Sequence, residues 1–323
     1  MSDQVSAKVI AHSKAKETGK EVITFELEFP RIVLAEFNTH NALSKNSSSS
    51  RAIPVQTMLA QVRDDPAMPV RFGKKNKGMQ DAGEHDGLVD LWNDYLDDSE
   101  AYGAEDAWRM AAQSAASFAG AFDEAGYAKQ ICNRLIEPFQ RMKVVMTATE
   151  LANFLWLRDH PAADPTIEAL AQKIKKAYIN SGAVELDVGD WHVPYFCGSW
   201  GKGVWKKGLE VESLQDALDI SASCAAQVSY RKLDDSAEKA KSVVDRLNLG
   251  VDITEPMHVS PTEHQCTPIG QPDLYGKVNH PFNPNTWQEG VTHVKKNGTL
   301  CSGNLEGFVQ YRKLIPGNCY GEK

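Results

Sequence analysis

The chain has 323 residues, 42% of them hydrophobic and 24% charged, with a formal net charge of −8. That length suffices for one large domain or two ordinary ones with a substantial core. The acidic balance excludes a protein whose main task is gripping a nucleic-acid backbone, which needs a concentrated basic surface. Small anionic ligands stay open, because a local pair of arginines overrides the global sign.

The opening stretch "MSDQVSAKVIAHSKAK" has no apolar core of signal-peptide length. No apolar run reaches the ~20 residues that span a bilayer, so no membrane partner is expected. "KEVITFELEF" then alternates Val22, Thr24, Glu26 and Glu28 with Ile23, Phe25, Leu27 and Phe29. This period of two predicts a strand with one apolar face. "AKVIAHSKA" pairs with it as a hairpin across "KETGK". Pro30 interrupts the pattern, and "RIVLAEF" starts a helix.

"FNTHNALSKNSSSSRAIP" follows, with four consecutive serines, Ser47 to Ser50. "PVQTMLAQVRDD" is a helix opened by Pro54, and "GKKNKGMQDAGEHDG" is an exposed polar loop. "AEDAWRMAAQSAASFAGAFDEAG" is an alanine-rich helix suited to close packing. "KQICNRLIEPFQRMKVVMTATELANFLWLRDHP" is the most apolar segment, broken at Pro138 and Pro161; read as helical, it puts Thr149 and Asn153 on one face. "PTIEALAQKIKKAYINSG" is an amphipathic helix. Residues 183–211 are Gly- and Trp-rich and predict an irregular connection. "SLQDALDISASCAAQVSY" and "SAEKAKSVVDRLN" are helices, and beyond Val251 the chain is mostly loop with short elements.

Three stretches carry candidate chemistry. The serine run is either a flexible linker or an anion loop: small side chains let backbone N–H groups approach a ligand, and Arg51 offers a bidentate fork. Arg134 and Arg158 either snorkel from helix surfaces or bind a ligand. "HVSPTEHQC" holds His258, Ser260, Glu263, His264 and Cys266, but its spacing matches no zinc motif, so no metal is expected. The six cysteines, Cys132, Cys197, Cys224, Cys266, Cys301 and Cys319, contain no CxxC pair and indicate a reduced, cytoplasmic protein.

Together these stretches resemble the flavin-dependent thymidylate synthases. The family signature runs R-H-R-x-x-S-x-N-x-x-S-x-R. This chain reads Thr39-His40-Asn41-Ala42-Leu43-Ser44-Lys45-Asn46-Ser47-Ser48-Ser49-Ser50-Arg51, matching at His40, Ser44, Asn46, Ser49 and Arg51. "LANFLWLR" resembles the family's N-F-L-x-L-R with Asn153 and Arg158, and Arg134 in "NRLIEPF" falls where another nucleotide-binding arginine is found. "AAQVSY" (Ala225 to Tyr230) and "MHVSPTEH" (Met257 to His264) resemble segments that ordinarily precede the signature. Here they follow it, so the order resembles a circular permutation like that of phage-type relatives. The likeness spans residues 20–180 and 215–315.

The resemblance implies an α+β fold with a small mixed or antiparallel sheet and long helices. It divides the chain into a signature-bearing part (1–182), an irregular connection (183–212) and a permuted segment (213–323) that completes the same domain. It implies a homotetramer in the cytoplasm, the host's if phage-encoded, binding small molecules and no nucleic acid. The implied reaction is reductive methylation of dUMP to dTMP with FAD as cofactor and methylene-tetrahydrofolate and NADPH as co-substrates. Alternatives are hydroxymethylation of dUMP or dCMP for modified phage DNA, or a non-catalytic nucleotide-binding homologue.

By the same resemblance Arg158 and Ser49 are the catalytic candidates. Glu36, Thr39, Ser47, Ser48, Ser49, Ser50, Arg51, Arg134 and Arg158 would bind dUMP. Thr39, His40, Asn41, Ser47, Thr147, Ala148, Thr149, Asn153, His258, Ser260 and Glu263 would bind FAD. Thr39, Asn41 and Gln227 stand where the family has arginines, which predicts weaker grip on phosphorylated ligands. The permuted order predicts that "MHVSPTEH" packs beside the serine run.

Overall fold

The computed structural model describes residues 4–93, 98–195, 198–200, 205–206, 209–211, 213–229, 233–249, 252 and 254–319. Cys197 and Tyr230, quoted above, lie outside the described residues. The architecture is mixed α+β, with several small sheets and helices.

The predicted hairpin forms from Ser6–Ala15 and Glu21–Pro30, turning through Gly19 at a φ of 68°, where glycine carries no steric cost. Arg141–Ala148 adds antiparallel to its second strand, Ser44–Ser47 pairs with Arg141–Ala148 at one edge, and Val184–Leu186 runs parallel to Ser6–Ala15 at the other. Two expectations change here. The start of the serine run is an edge strand. The apolar stretch at 141–148 is the sheet's second-to-edge strand and not a helix, because both its faces are covered and a continuous apolar run then suits a strand. Thr149 therefore lies in the turn before the helix Ala152–Arg158, not on a helical face shared with Asn153.

On one face, Phe25, Leu27, Phe29, Val144 and Met146 pack against Ile167, Leu170, Ala171 and Ile174 of the helix Pro165–Ile179, with Phe37 and Phe154 closing the end. Asp164 starts that helix by accepting from the Thr166 and Ile167 N–H groups at 2.8 and 3.3 Å. The opposite face is covered as well. A four-stranded sheet of Trp191–Val193, Gly198–Trp200, Cys266–Pro268 and Phe308–Gln310 lies over it, so the 183–212 region contributes strands where an irregular connection was expected.

The contact between the two sheets is partly polar. Ser13, His192, Thr24, Thr147 and His264 form a buried series of hydrogen bonds of 2.7–2.9 Å: Ser13 Oγ with His192 Nδ1, His192 Nε2 with Thr24 Oγ1, Thr24 with Thr147, and Thr147 with His264 Nδ1. Burial holds both imidazoles neutral, each with its pKa pushed down to about 3.

Two helical groups flank this centre. Val55–Asp64, Ala104–Glu124 and Lys129–Leu135 pack through Ala112, Ala116 and Ala119, whose small side chains allow the close approach read from composition. Leu214–Ala226 and Ala237–Leu247 pair near the second sheet. No helix among the described residues is long and apolar enough to cross a membrane, and none of the described cysteines forms a disulfide.

Candidate functional site

The residues at the start of the signature face a cleft. The helix Leu34–Asn38 ends on buried Phe37, and the chain then exposes Thr39 and Asn41 around buried His40. The helix Ala152–Arg158 runs opposite, anchored by Phe154, whose ring meets those of Phe37 and His40 edge-on at 5.9 and 4.9 Å. Thr39, His40, Asn41, Asn153 and Arg158 line one cleft of about 200 Å³, together with Glu150. A pocket that encloses a whole ligand measures about 300–1,000 Å³, so this one accommodates a ring or a phosphate and not a complete dinucleotide.

Inside the cleft, Arg158 donates its Nε–H to His40 Nε2 at 2.9 Å and reaches Thr39 Oγ1 from Nη2 at 3.5 Å. Accepting that bond requires a neutral imidazole. Burial first, then the positive charges of Arg158 and Lys45, push the His40 pKa below its ordinary value. Glu150 caps the opposing helix, accepting from the Asn153 N–H at 3.2 Å, and so carries negative charge at the helix N-terminus.

The serine run is not a slack linker. Ser48 Oγ accepts from the Lys143 N–H at 3.2 Å, and its own N–H donates to the Lys143 carbonyl. Ser49 Oγ accepts from the Arg51 N–H at 3.2 Å. Asn133, fully buried, donates to the carbonyls of Ser50 and Ile53, which fastens the loop to the helix carrying Arg134. Arg51 and Arg134 themselves are exposed, and Ser47 is half-buried. Glu36 is exposed, and its carbonyl receives the Thr39 hydroxyl at 2.7 Å.

The "MHVSPTEH" segment does lie beside the serine strand within one chain. The Asn46 amide, oriented with its nitrogen toward Ser260, donates to Ser260 Oγ at 3.2 Å. Gln310 bridges the two, donating to Ser44 Oγ and to the Glu263 carbonyl, both at 3.2 Å. The remaining candidates are dispersed. Thr147 and Ala148 are buried in the sheet, and the Thr147 hydroxyl is taken by Thr24 and His264. Thr149 Oγ1 accepts from the Glu306 N–H at 2.8 Å. His258 is exposed while His264 is fully buried, so these histidines do not converge. Glu263 pairs with Arg312.

Gln227 differs most from its expected setting. It is 2% exposed, donates to Ser223 Oγ and to the Asp234 carbonyl, and accepts from the Asp234 N–H. Its amide is taken up by Ser223 and Asp234, and it lies outside the cleft lined by His40 and Arg158, beside a separate small pocket shared with Val243 and Arg246. Sequence reading missed Glu150, Asn304, Gln310 and Arg312. An acidic residue two positions before a helix, as in "TELAN", was a legible signal for Glu150 alone.

For FAD, the cleft's fit is partial. The amides of Asn41 and Asn153 and the free N–H groups of Arg158 suit a heteroaromatic ring or an anion, whereas the side chains of Thr147 and Ala148 are unavailable to it.

No family model matches the chain, and no curated protein matches it. Among solved structures it is similar to a UMP/dUMP methylase, PolB, from Streptomyces cacaoi bound with 5-Br UMP, at 14% identity over 54% of this chain and 88% of that chain, with a TM-score of 0.37. It is also similar to the flavin-dependent thymidylate synthase ThyX from Helicobacter pylori complexed with FAD and dUMP, at 19% identity over 49% of this chain and 67% of that chain, with a TM-score of 0.30. The overlap is partial at these values, and the functional reading rests on the chain's own residues.

Proposed function

We propose that this chain is a flavin-dependent pyrimidine-nucleotide methylase that converts dUMP to dTMP, with its signature and permuted segments completing one domain and its chains assembling as homotetramers. The observation that carries the reading is the convergence of two motifs far apart in sequence: Thr39, His40 and Asn41 line the same cleft as Asn153 and Arg158.

The proposed reaction replaces the C5 hydrogen of dUMP with a methyl group. The carbon comes from methylene-tetrahydrofolate, whose bond to nitrogen breaks to release tetrahydrofolate; the two reducing electrons come from NADPH, which leaves as NADP⁺, and C5 releases a proton. FAD, when bound, supplies the hydride. The chain's residues bind and orient. Arg158, held by His40, places a fixed guanidinium beside the pyrimidine, where it favours the N3-ionised form. Half-buried Ser47 and Ser49 offer hydroxyls and Arg51 an exposed guanidinium for the nucleotide phosphate, whereas Ser48 and Ser50 are buried and shape the loop, and Arg134 adds a second cation on the helix fastened to that loop. Asn41, Asn153, His258, Ser260 and Glu263 would hold parts of FAD.

The test is an absorption spectrum of the purified protein followed by product mass after incubation with dUMP, dCMP, methylene-tetrahydrofolate and NADPH. A flavin spectrum and a dTMP product are expected. A hydroxymethylated nucleotide would replace the methylase reading with the modified-base one. Absence of flavin together with absence of dUMP binding would overturn both.

A further inference from the structure

Lys45 is one of the unassigned positions of the signature, and its side chain is among the most constrained in the region. Its Nζ donates to the His40 carbonyl at 2.8 Å and to the Phe37 and Asn38 carbonyls at 3.4 Å, and lies 5.5 Å from the centre of the Phe37 ring. These carbonyls belong to the C-terminal end of the helix Leu34–Asn38 and the turn after it, where a cation is favoured; those of Phe37 and His40 also accept the His40 and Leu43 N–H groups. Lys45 itself sits on the strand Ser44–Ser47. One ammonium thus ties strand, helix end and turn together, and it does not line the cleft.

We propose that Lys45 is a positioning residue for the cleft: its ammonium fixes the Thr39–Asn41 turn and, through His40, the direction in which Arg158 presents its remaining N–H groups to a bound nucleotide. The nucleotide clause rests on the dUMP reading above; the action on His40 does not.

Two physical effects converge on His40. The bond to its carbonyl fixes the backbone from which the imidazole projects. The positive charge of Lys45, added to burial and to Arg158, disfavours a proton on the ring. The groups around the imidazole are Arg158 and Phe154 from the opposing helix, Lys45 from the strand and the Thr39 hydroxyl. The Glu150 carboxylate in the same cleft is turned to the N–H of Asn153, and Glu36 is exposed. The cations therefore dominate. Without Lys45, the imidazole gains a proton at higher pH and can no longer accept from Arg158 Nε.

The experiment compares wild type, Lys45→Met, Lys45→Gln and Lys45→Arg as full-length protein, by NMR titration of His40 and by dUMP binding calorimetry between about pH 5.5 and 8. In Lys45→Met the His40 midpoint should rise, and the deficit in dUMP affinity should grow as pH falls toward 5.5 and shrink toward pH 8. Lys45→Arg should restore both, because it keeps charge and donors. Should Lys45→Met fail to fold, Lys45→Gln retains a donor for the His40 carbonyl and is expected to show the same raised midpoint. An unmoved His40 midpoint in the neutral variants overturns the proposal, as does an affinity loss equal at every pH, which marks a purely structural residue. If wild type does not bind dUMP, the nucleotide reading falls, and the His40 midpoint alone decides the role of Lys45.

Discussion

Arg158 and His40 are joined by a single 2.9 Å hydrogen bond from the arginine Nε–H to imidazole Nε2. The bond leaves Nη1, and the N–H of Nη2 not directed at Thr39 Oγ1, for a ligand, and it exists only while the imidazole is uncharged. A guanidinium held this way has lost rotamer freedom before the ligand arrives, so less entropy is spent on binding.

Arg158→Ala should therefore remove nucleotide binding, by at least about tenfold in dUMP affinity, while thermal stability stays close to wild type, because the residue is half-buried at a helix end. Calorimetry and a melting curve on the same preparation check both halves. The pH dependence has a definite sign. His40 has a depressed pKa, so the neutral, accepting form prevails above the unfolded value near 6.5 and is lost as pH falls through the folded midpoint. Wild-type dUMP affinity should hold at about pH 6.5 and weaken only as acidification passes through the folded His40 midpoint, which lies below that value.

Asn41 lines the cleft where the resembled signature has arginine, and the Lys45 ammonium does not fill that vacancy, because it faces three carbonyls. Asn41→Arg should tighten FAD by about 1–2 kcal/mol, roughly ten- to thirty-fold in dissociation constant. Titration of FAD into both apo-proteins reads this directly. Weaker binding by the variant would mean that Asn41 faces no anionic part of the cofactor.

Gln227 invites the opposite experiment. Gln227→Arg would install the residue found at this point of the resembled motif, but the amide's three bonds hold the Asp234 backbone and Ser223 in a buried setting. The substitution should cost about 2–4 kcal/mol by burying an unpaired charge and freeing the Asp234 N–H, with no gain in ligand affinity. Urea unfolding and dUMP binding together test it.

The neutral buried pair His192 and His264 makes stability pH-dependent. Both have folded pKa values near 3 against about 6.5 unfolded, so their contribution is complete above pH 6.5 and is lost as pH falls toward 3. Denaturant midpoints at pH 7, 5 and 4 should fall progressively, with a total loss of several kcal/mol. A midpoint unchanged down to pH 4 would contradict neutral burial of either ring.

What the sequence determined alone is what local chemistry determines. The period-two pattern of residues 21–29 specified a strand, and "KETGK" specified its hairpin. The alanines of residues 104–124 specified a closely packed helix, and each element forms at those positions. Resemblance to a known family singled out His40 through the signature and Asn153 and Arg158 through "LANFLWLR", and the fold brings the three into one cleft. Tertiary structure decided the rest, because satisfaction of a polar group depends on partners that no local window contains. Thr24 alternates with apolar neighbours as a solvent-facing residue does, yet it is buried against His192, 168 positions away. Thr147 reads as a ligand-binding hydroxyl, but His264, 117 positions on, takes its bond. The apolar run 141–148 is compatible with a helix or a strand until a second sheet covers its other face, and Gln227 looks like a lost arginine until Asp234 folds back onto its amide. Periodicity records which face of an element is apolar. Only the packed chain decides whether a polar side chain on the other face meets water, a ligand or a distant residue of its own fold.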